Sequence, residues 1–136
     1  MVYRDNKFIR IELDQENNVV LVKSKSFLND KEYQRSWYAL ADLLLEHQIN
    51  KLLIDDQDTK VVSLKSTEWL MQNILPKLIA NLNGLKAAIV PPEDIFYQVS
   101  IKTLQGQVDN NPNLSDKINI KWFEQADEGF TWLQEN

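Results

Sequence analysis

The feature of this sequence that most constrains its fold is a pair of short apolar runs, each lying between longer amphipathic segments. Lys51–Asp55 reads Lys-Leu-Leu-Ile-Asp, and Leu85–Val90 reads Leu-Lys-Ala-Ala-Ile-Val. A run this short and this apolar is typical of a strand that is covered on both faces, as in the centre of a parallel sheet. The two runs therefore predict a sheet with helices packed against it.

The N-terminal segment predicts a β-hairpin. Apolar and polar residues alternate from Ile9 to Leu13, a pattern typical of a strand that buries one face. The polar turn Gln15–Asn18 and the β-branched run Val19–Val22 follow directly. Residues 7–23 are therefore expected to form two antiparallel strands.

Four segments carry apolar residues at spacings of three and four, which predicts helices. Asn29 precedes the first of them, and Ser66 is the predicted N-cap of the second. Pro76 should kink or restart that second helix, because it lacks a backbone donor. Gly84 and Gly106 should end the second and third helices in turn. The predicted helices cover residues 30–47, 66–84 and 93–105 and the segment that contains Ala126, Phe130 and Leu133.

A last strand is predicted at Ile118, Ile120 and Trp122, whose neighbours are polar. The complete order is then β-β-α-β-α-β-α-β-α. Helices that connect successive strands favour parallel neighbours joined by right-handed crossovers. We therefore predict an α/β fold with one domain, residues 1–136, and a mixed, largely parallel sheet of about five strands with covering helices.

Composition argues against several classes of function. The 136 residues include no cysteine, which removes disulfides, thiolate metal sites and thiol nucleophiles. Twenty acidic and 15 basic residues give a net charge of −5, which argues against a nucleic-acid-binding or anionic-membrane-binding protein. No apolar run is long enough to span a bilayer or to serve as a signal peptide, so we expect a cytoplasmic protein.

Three segments of the chain carry a recognisable pattern: the helix-to-strand passage Trp37–Asp55, the strand, double proline and helix start of Lys86–Ser100, and the C-terminal strand, phenylalanine and helix of Trp122–Leu133. In this pattern the chain resembles the anti-sigma-factor-antagonist-type domains known as STAS. More narrowly, it resembles small stand-alone bacterial proteins called SpoIIAA-like, which are related to CRAL-TRIO-like proteins. The resemblance implies a SpoIIAA-like α/β fold and a non-enzymatic regulatory or binding role.

The resemblance also implies that partners dock, and a kinase can act, just before the second helix. Classical regulators carry a phosphorylatable serine there in an Asp-Ser-Ser-Gly-like run. The corresponding residues 60–68 read Lys-Val-Val-Ser-Leu-Lys-Ser-Thr-Glu and contain no such run. Ser66 therefore has two interpretations: an ordinary N-cap, or a phosphate acceptor at the positive end of a helix.

Two places in the sequence carry polar residues that are candidates for chemistry. His47 is the only histidine, and its place near the end of the first helix suits the helix dipole without a catalytic role. Asp55, Asp56 and Asp58 follow the central strand, where they could hold Mg²⁺ or simply form a polar loop. No glycine-rich phosphate loop accompanies them. We therefore predict no catalytic, cofactor-binding or metal-binding residues.

Trp69, Phe96 and Tyr97 lie at the starts of the second and third helices, each after a central strand. They could pack in the core, or they could line an apolar groove for a partner or a small ligand. The sequence thus predicts a non-catalytic, cytoplasmic protein-interaction or regulatory domain that binds another protein or associates with itself. The alternative is a protein that binds a small, apolar, lipid-like ligand, as CRAL-TRIO-like proteins do.

Overall fold

The computed structural model describes residues 1–25, 29–59 and 63–135. These residues form one six-stranded sheet with helices on both faces. The strands are β1 (Val2–Asp5), β2 (Ile9–Asp14), β3 (Val19–Ser24), β4 (Lys51–Asp55), β5 (Leu85–Val90) and β6 (Ile118–Trp122). The helices are α1 (Asp30–His47), α2 (Leu64–Asn73), α3 (Leu75–Asn81), α4 (Ile95–Asp109), α5 (Pro112–Ser115) and α6 (Ala126–Gln134).

The strands lie in the sheet in the same order as in the chain. β1, β2 and β3 pair in antiparallel fashion, and β3 to β6 are parallel. The predicted mixed, largely parallel sheet with covering helices is confirmed, and so are the hairpin of β2 and β3 and the central position of β4. β1 is an additional strand that the hydrophobic pattern did not indicate, because it is a mostly exposed edge strand containing Arg4 and Asp5.

The two faces of the sheet are covered unequally. The parallel strands follow one another in chain order, and their crossover connections have the same handedness. The connecting helices therefore lie on the same face of the sheet. The larger core accordingly lies between that face and α1 to α4. α6 follows the last strand and packs on the other face, where Leu133 lies against Val19, Leu53 and Ala88.

The boundaries of three helices can be compared with those that the local sequence predicts. Asn29 caps α1, since its side chain accepts from the backbone N–H of Glu32 at 2.8 Å, as expected. The helix after β4 restarts between Ile74 and Leu75, with Pro76 in the first turn of α3, so the predicted interruption is confirmed. The predicted end of α4 before Gly106 is wrong, because the helix continues through this glycine.

Two further details concern loops. Gly84 has a φ of 81°, the left-handed conformation predicted for it after the helix. The Asn-Asn-Pro-Asn run at residues 110–113 is typical of a loop. In the structure it leads into the short helix α5, whose first turn is capped by the side chain of Asn111. The β-branched pair Val61 and Val62 predicts a short extended segment, and it lies outside the described residues. No helix in the described parts of the chain is both long and apolar enough to cross a membrane.

Candidate functional site

A buried carboxylate lies at the carboxyl edge of the parallel strands. Asp56 directly follows β4, and only 4% of its surface is exposed. Its backbone N–H donates to the carbonyl oxygen of Val90 at 3.0 Å, which ties the end of β4 to the end of β5. Because side chains alternate along an extended chain, Asp56 points to the same face as Ile54, which packs against the larger core.

Three hydroxyl groups donate hydrogen bonds to this carboxylate. The Oγ of Ser24 and the Oγ1 of Thr59 donate to Oδ1 at 2.9 and 3.4 Å, and the phenolic oxygen of Tyr97 donates to Oδ2 at 3.1 Å. Burial nevertheless raises the pKa of Asp56 to about 6, since the loss of hydration outweighs these bonds and the neighbouring charge of Asp55 acts in the same direction. The site therefore changes charge near neutral pH.

Two tyrosines face the same carboxylate. Burial raises the pKa of the Tyr33 and Tyr97 hydroxyls far above their usual range, and the charge of Asp56 raises both further. The phenols are thus neutral hydrogen-bonding groups at ordinary pH, and Asp56 is the group of this cluster that titrates.

A cavity of about 70 Å³ lies directly above Asp56, between the sheet and helices α1, α2 and α4. Most of its wall is aliphatic, and the aromatic rings of Tyr33, Trp37 and Tyr97 form part of the rest. The other lining residues are Ile9, Val22, Ser24, Ser36, Leu40, Ile54, Thr67, Leu70, Ile89, Ile101 and Leu104. The carboxylate of Asp56 is the only acidic group among the described residues that line this cavity.

The three aspartates considered for Mg²⁺ do not converge. Asp55 and Asp58 both form ion pairs with Lys23, at 3.2 and 3.0 Å, whereas Asp56 turns into the core. Within residues 1–25, 29–59 and 63–135, no three acidic or histidine side chains are grouped so that they could hold a metal ion. The geometry therefore gives the magnesium hypothesis no support.

The N-cap of α2 is Ser63, which corrects the prediction of Ser66. The Ser63 side chain accepts from the backbone N–H of Ser66 at 3.1 Å. Ser66 itself lies inside the first turn, is 2% exposed and donates through Oγ to Asp30 at 2.6 Å, while the Ser63 hydroxyl donates to the same oxygen at 2.8 Å. The physical reason is that two serines three residues apart both suit a helix start. The helix begins one turn earlier than predicted, so Ser63 has the extended backbone of a cap and Ser66 lies inside the first turn.

Phosphorylation at Ser66 stays a prediction. The hydroxyl is buried against Asp30, so a phosphate there would meet a like charge and would require the starts of α1 and α2 to separate.

Ser63→Ala is expected to lower the free energy of unfolding by about 1 kcal/mol, because it removes both the cap and a bond to Asp30. Urea unfolding measures the change. Ser115→Ala, at the exposed end of α5, is the control and should lie within about 0.5 kcal/mol of wild type. Equal stabilities for the two variants would contradict the assigned cap.

The three aromatic residues singled out from the sequence occupy different environments. Tyr97 lines the cavity, and Phe96, the adjacent residue on α4, is 81% exposed on the outer side of the helix. Trp69 is half-buried and packs edge-on against Tyr33 and Tyr38, with ring centroids 6.4 and 5.3 Å away. The structure therefore does not place the three rings along one groove.

Comparison with known proteins supports the fold. No protein-family model matches the chain. No curated protein matches it either. Among solved structures, it is similar to an uncharacterised protein of the DUF3478 family from Shewanella loihica PV-4, described as having a SpoIIAA-like fold. The two share 17% identity, and the match has a TM-score of 0.60 over 96% of this chain and 97% of the other. The SpoIIAA-like fold implied by the sequence is thereby confirmed.

Proposed function

We propose that this chain is a non-catalytic, cytoplasmic protein-interaction domain with a regulatory role, and that it docks through the outer face of α4. One observation carries the proposal: Ile95, Phe96 and Val99 are 72%, 81% and 59% exposed and lie together on the first two turns of the helix. A cluster of large apolar side chains at the surface of a folded domain is typical of a protein interface.

The orientation of α4 is set by its other side. The side chain of Asp94 caps the helix by accepting from the backbone N–H of Tyr97 at 3.0 Å. Tyr97 and Ile101 are buried, so the inner face is anchored in the core. The outward apolar side chains cannot be buried by a rotation of the helix without removing these two residues from the core. A partner surface would bury them instead.

The absence of catalysis is proposed from chemistry that the sequence does not offer. The chain contains one histidine and no cysteine. His47 is the last residue of α1, where the negative end of the helix dipole favours a basic group. The Ser63 and Ser66 hydroxyls both donate to one oxygen of Asp30, a contact that joins the starts of α1 and α2.

Site-specific photo-crosslinking tests the docking face. A benzophenone amino acid placed at Phe96 is expected to give a defined covalent adduct in cells of the source organism. The same amino acid at Tyr38, an aromatic residue of α1 that is 50% exposed, is the matched control. The mass of the adduct distinguishes a second copy of this chain from a different protein.

The double variant Ile95→Ser/Val99→Ser is expected to abolish the adduct at position 96. Because both residues are exposed, the free energy of unfolding should change by no more than about 0.5 kcal/mol per site. Identical adducts at positions 96 and 38, or an adduct that survives the double substitution, would overturn the proposed docking face.

Small-ligand binding is the second candidate function, and the cavity at Asp56 favours it. The cavity volume of about 70 Å³ is well below the ~300 Å³ at which drug-sized ligands begin to fit. A lipid-like ligand would therefore need the helical layer to move away from the sheet. A compound of a few non-hydrogen atoms would not.

A further inference from the structure

Among the described side chains, hydroxyl groups alone donate hydrogen bonds to the buried carboxylate of Asp56. In the described parts of the chain, no lysine or arginine forms an ion pair with it. Lys23, which pairs with Asp55 and Asp58, is engaged elsewhere. Buried charges in proteins are normally paired, because an isolated one loses its hydration without compensation. The described residues therefore supply no paired positive charge to Asp56 when it is ionised.

The cavity beside this carboxylate has the size and the lining to hold a cation that would balance its charge. A water-sized group needs about 10–15 Å³ of such a cavity. The cavity volume of about 70 Å³ therefore accommodates roughly five non-hydrogen atoms. The rings of Tyr33, Trp37 and Tyr97 line the space, and aromatic faces attract cations. The remaining wall is aliphatic and suits an alkyl chain.

We propose that this cavity binds a small organic ammonium ion, with its charged head against Asp56 and its alkyl part against the aliphatic wall. An anion would be repelled by the carboxylate. A hydrated metal ion would find one carboxylate and mostly apolar surroundings, in place of the several oxygen ligands it requires. An organic cation gains from the charge, from the rings and from the aliphatic wall together.

This site is independent of the proposed docking face. The cavity lies on the inner side of α4, whereas Ile95, Phe96 and Val99 lie on its outer side. Either proposal can therefore fail while the other holds.

Calorimetric titration with n-butylammonium, n-butanol and butyrate tests the proposal, since the three probes have similar chains and differ in the head group. At pH 7.5, n-butylammonium is expected to bind at least tenfold more tightly than n-butanol, and butyrate should not bind. Nα-acetyl-lysine methylamide forms a second arm: if it binds more tightly than n-butylammonium, the natural source of the cation is a lysine side chain of a protein rather than a free amine.

Asp56→Asn should weaken n-butylammonium binding at least tenfold and leave n-butanol unaffected. Asp55→Asn is the matched control, because it removes the same formal charge one residue away, where Asp55 pairs with Lys23. The proposal is overturned if n-butylammonium does not bind wild type, if n-butanol binds as well, or if the two asparagine variants lose the same affinity.

The pH dependence gives a test that needs no variant. Wild-type affinity for n-butylammonium should fall about tenfold from pH 7.5 to pH 5, as Asp56, with its pKa of about 6, takes up a proton. In the part of the chain that the structure describes, the other titratable groups that act on Asp56 are Tyr33 on α1, Tyr97 on α4 and Asp55 on β4. Both tyrosines stay neutral over this range. An affinity that does not change between the two pH values would contradict the proposed contact.

Discussion

Asp56 is expected to make the free energy of unfolding of the wild-type protein decrease as the pH rises from 4 to 7. The substitution Asp56→Asn should remove this decrease. The pKa of this carboxyl is raised in the folded state to about 6 from an ordinary value of 3.8. The folded state therefore binds more protons than the unfolded state in this window, so stability falls as pH rises. The contribution is fully present below about pH 4 and is lost as pH passes through about 6.

The size of the effect follows from the shift. About two pKa units correspond to roughly 3 kcal/mol, so the free energy of unfolding of wild type minus that of Asp56→Asn should fall by on the order of 3 kcal/mol across the window. Asparagine has nearly the same shape and retains an oxygen that can accept from Ser24 and Thr59, so it keeps part of the hydrogen bonding. Urea unfolding of both proteins at half-unit pH steps measures the difference.

Because the measured quantity is a difference between two proteins, the contributions of the other carboxylates to the pH dependence cancel. Asp5, Asp14 and Asp30 have pKa values lowered by hydrogen bonds, and their contribution is lost only as the pH falls below about 4. Asp55→Asn is again the control: because this variant keeps the buried Asp56 carboxyl, most of the decrease should remain in its free energy of unfolding. A wild-type-minus-Asp56→Asn difference that is flat from pH 4 to 7 would show that Asp56 is hydrated in solution.

Gly129→Ala is expected to destabilise the protein by up to about 2 kcal/mol, although alanine favours helices. Gly129 lies in α6, where the helix rests on the sheet. A Cβ added there would lie 3.0 Å from both the Cβ of Ala88 and the Cδ1 of Leu53, and 3.3 Å from the Cδ2 of Phe123. Relieving such contacts in a packed core costs about 1–3 kcal/mol, which offsets or exceeds the helix-propensity gain of about 1 kcal/mol.

Gly106→Ala is the matched control for this substitution. Gly106 lies within α4, and a Cβ there would meet no atom within 4 Å. The same change should therefore stabilise the protein by about 0.5–1 kcal/mol through helix propensity alone. Thermal and urea unfolding of both variants measure the contrast. If both alanines stabilise equally, α6 can move off the sheet at little cost, and the close contact is not a constraint.

The elements that depend on neighbours in sequence were predictable, and the sites that depend on distant contacts were not. The apolar runs at Lys51–Asp55 and Leu85–Val90 specify buried strands by composition, and Asn29 and Pro76 act on helices within a few residues of themselves. β1 was missed because an edge strand needs little hydrophobic pattern, only the backbone of β2 beside it.

The candidate cavity marks the limit of sequence reasoning on this chain. Asp55, Asp56 and Asp58 look alike in sequence, and alternation along the strand could have indicated that Asp56 points the same way as Ile54. What makes Asp56 different is the approach of Ser24, 32 residues earlier, and Tyr97, 41 residues later. Sequence by itself determined the hairpin of β2 and β3, the parallel strands and the covering helices, because hydrophobic periodicity is a local property. The tertiary structure alone decided which carboxylate is buried and which apolar side chains remain outside, because both depend on contacts between segments far apart in the chain.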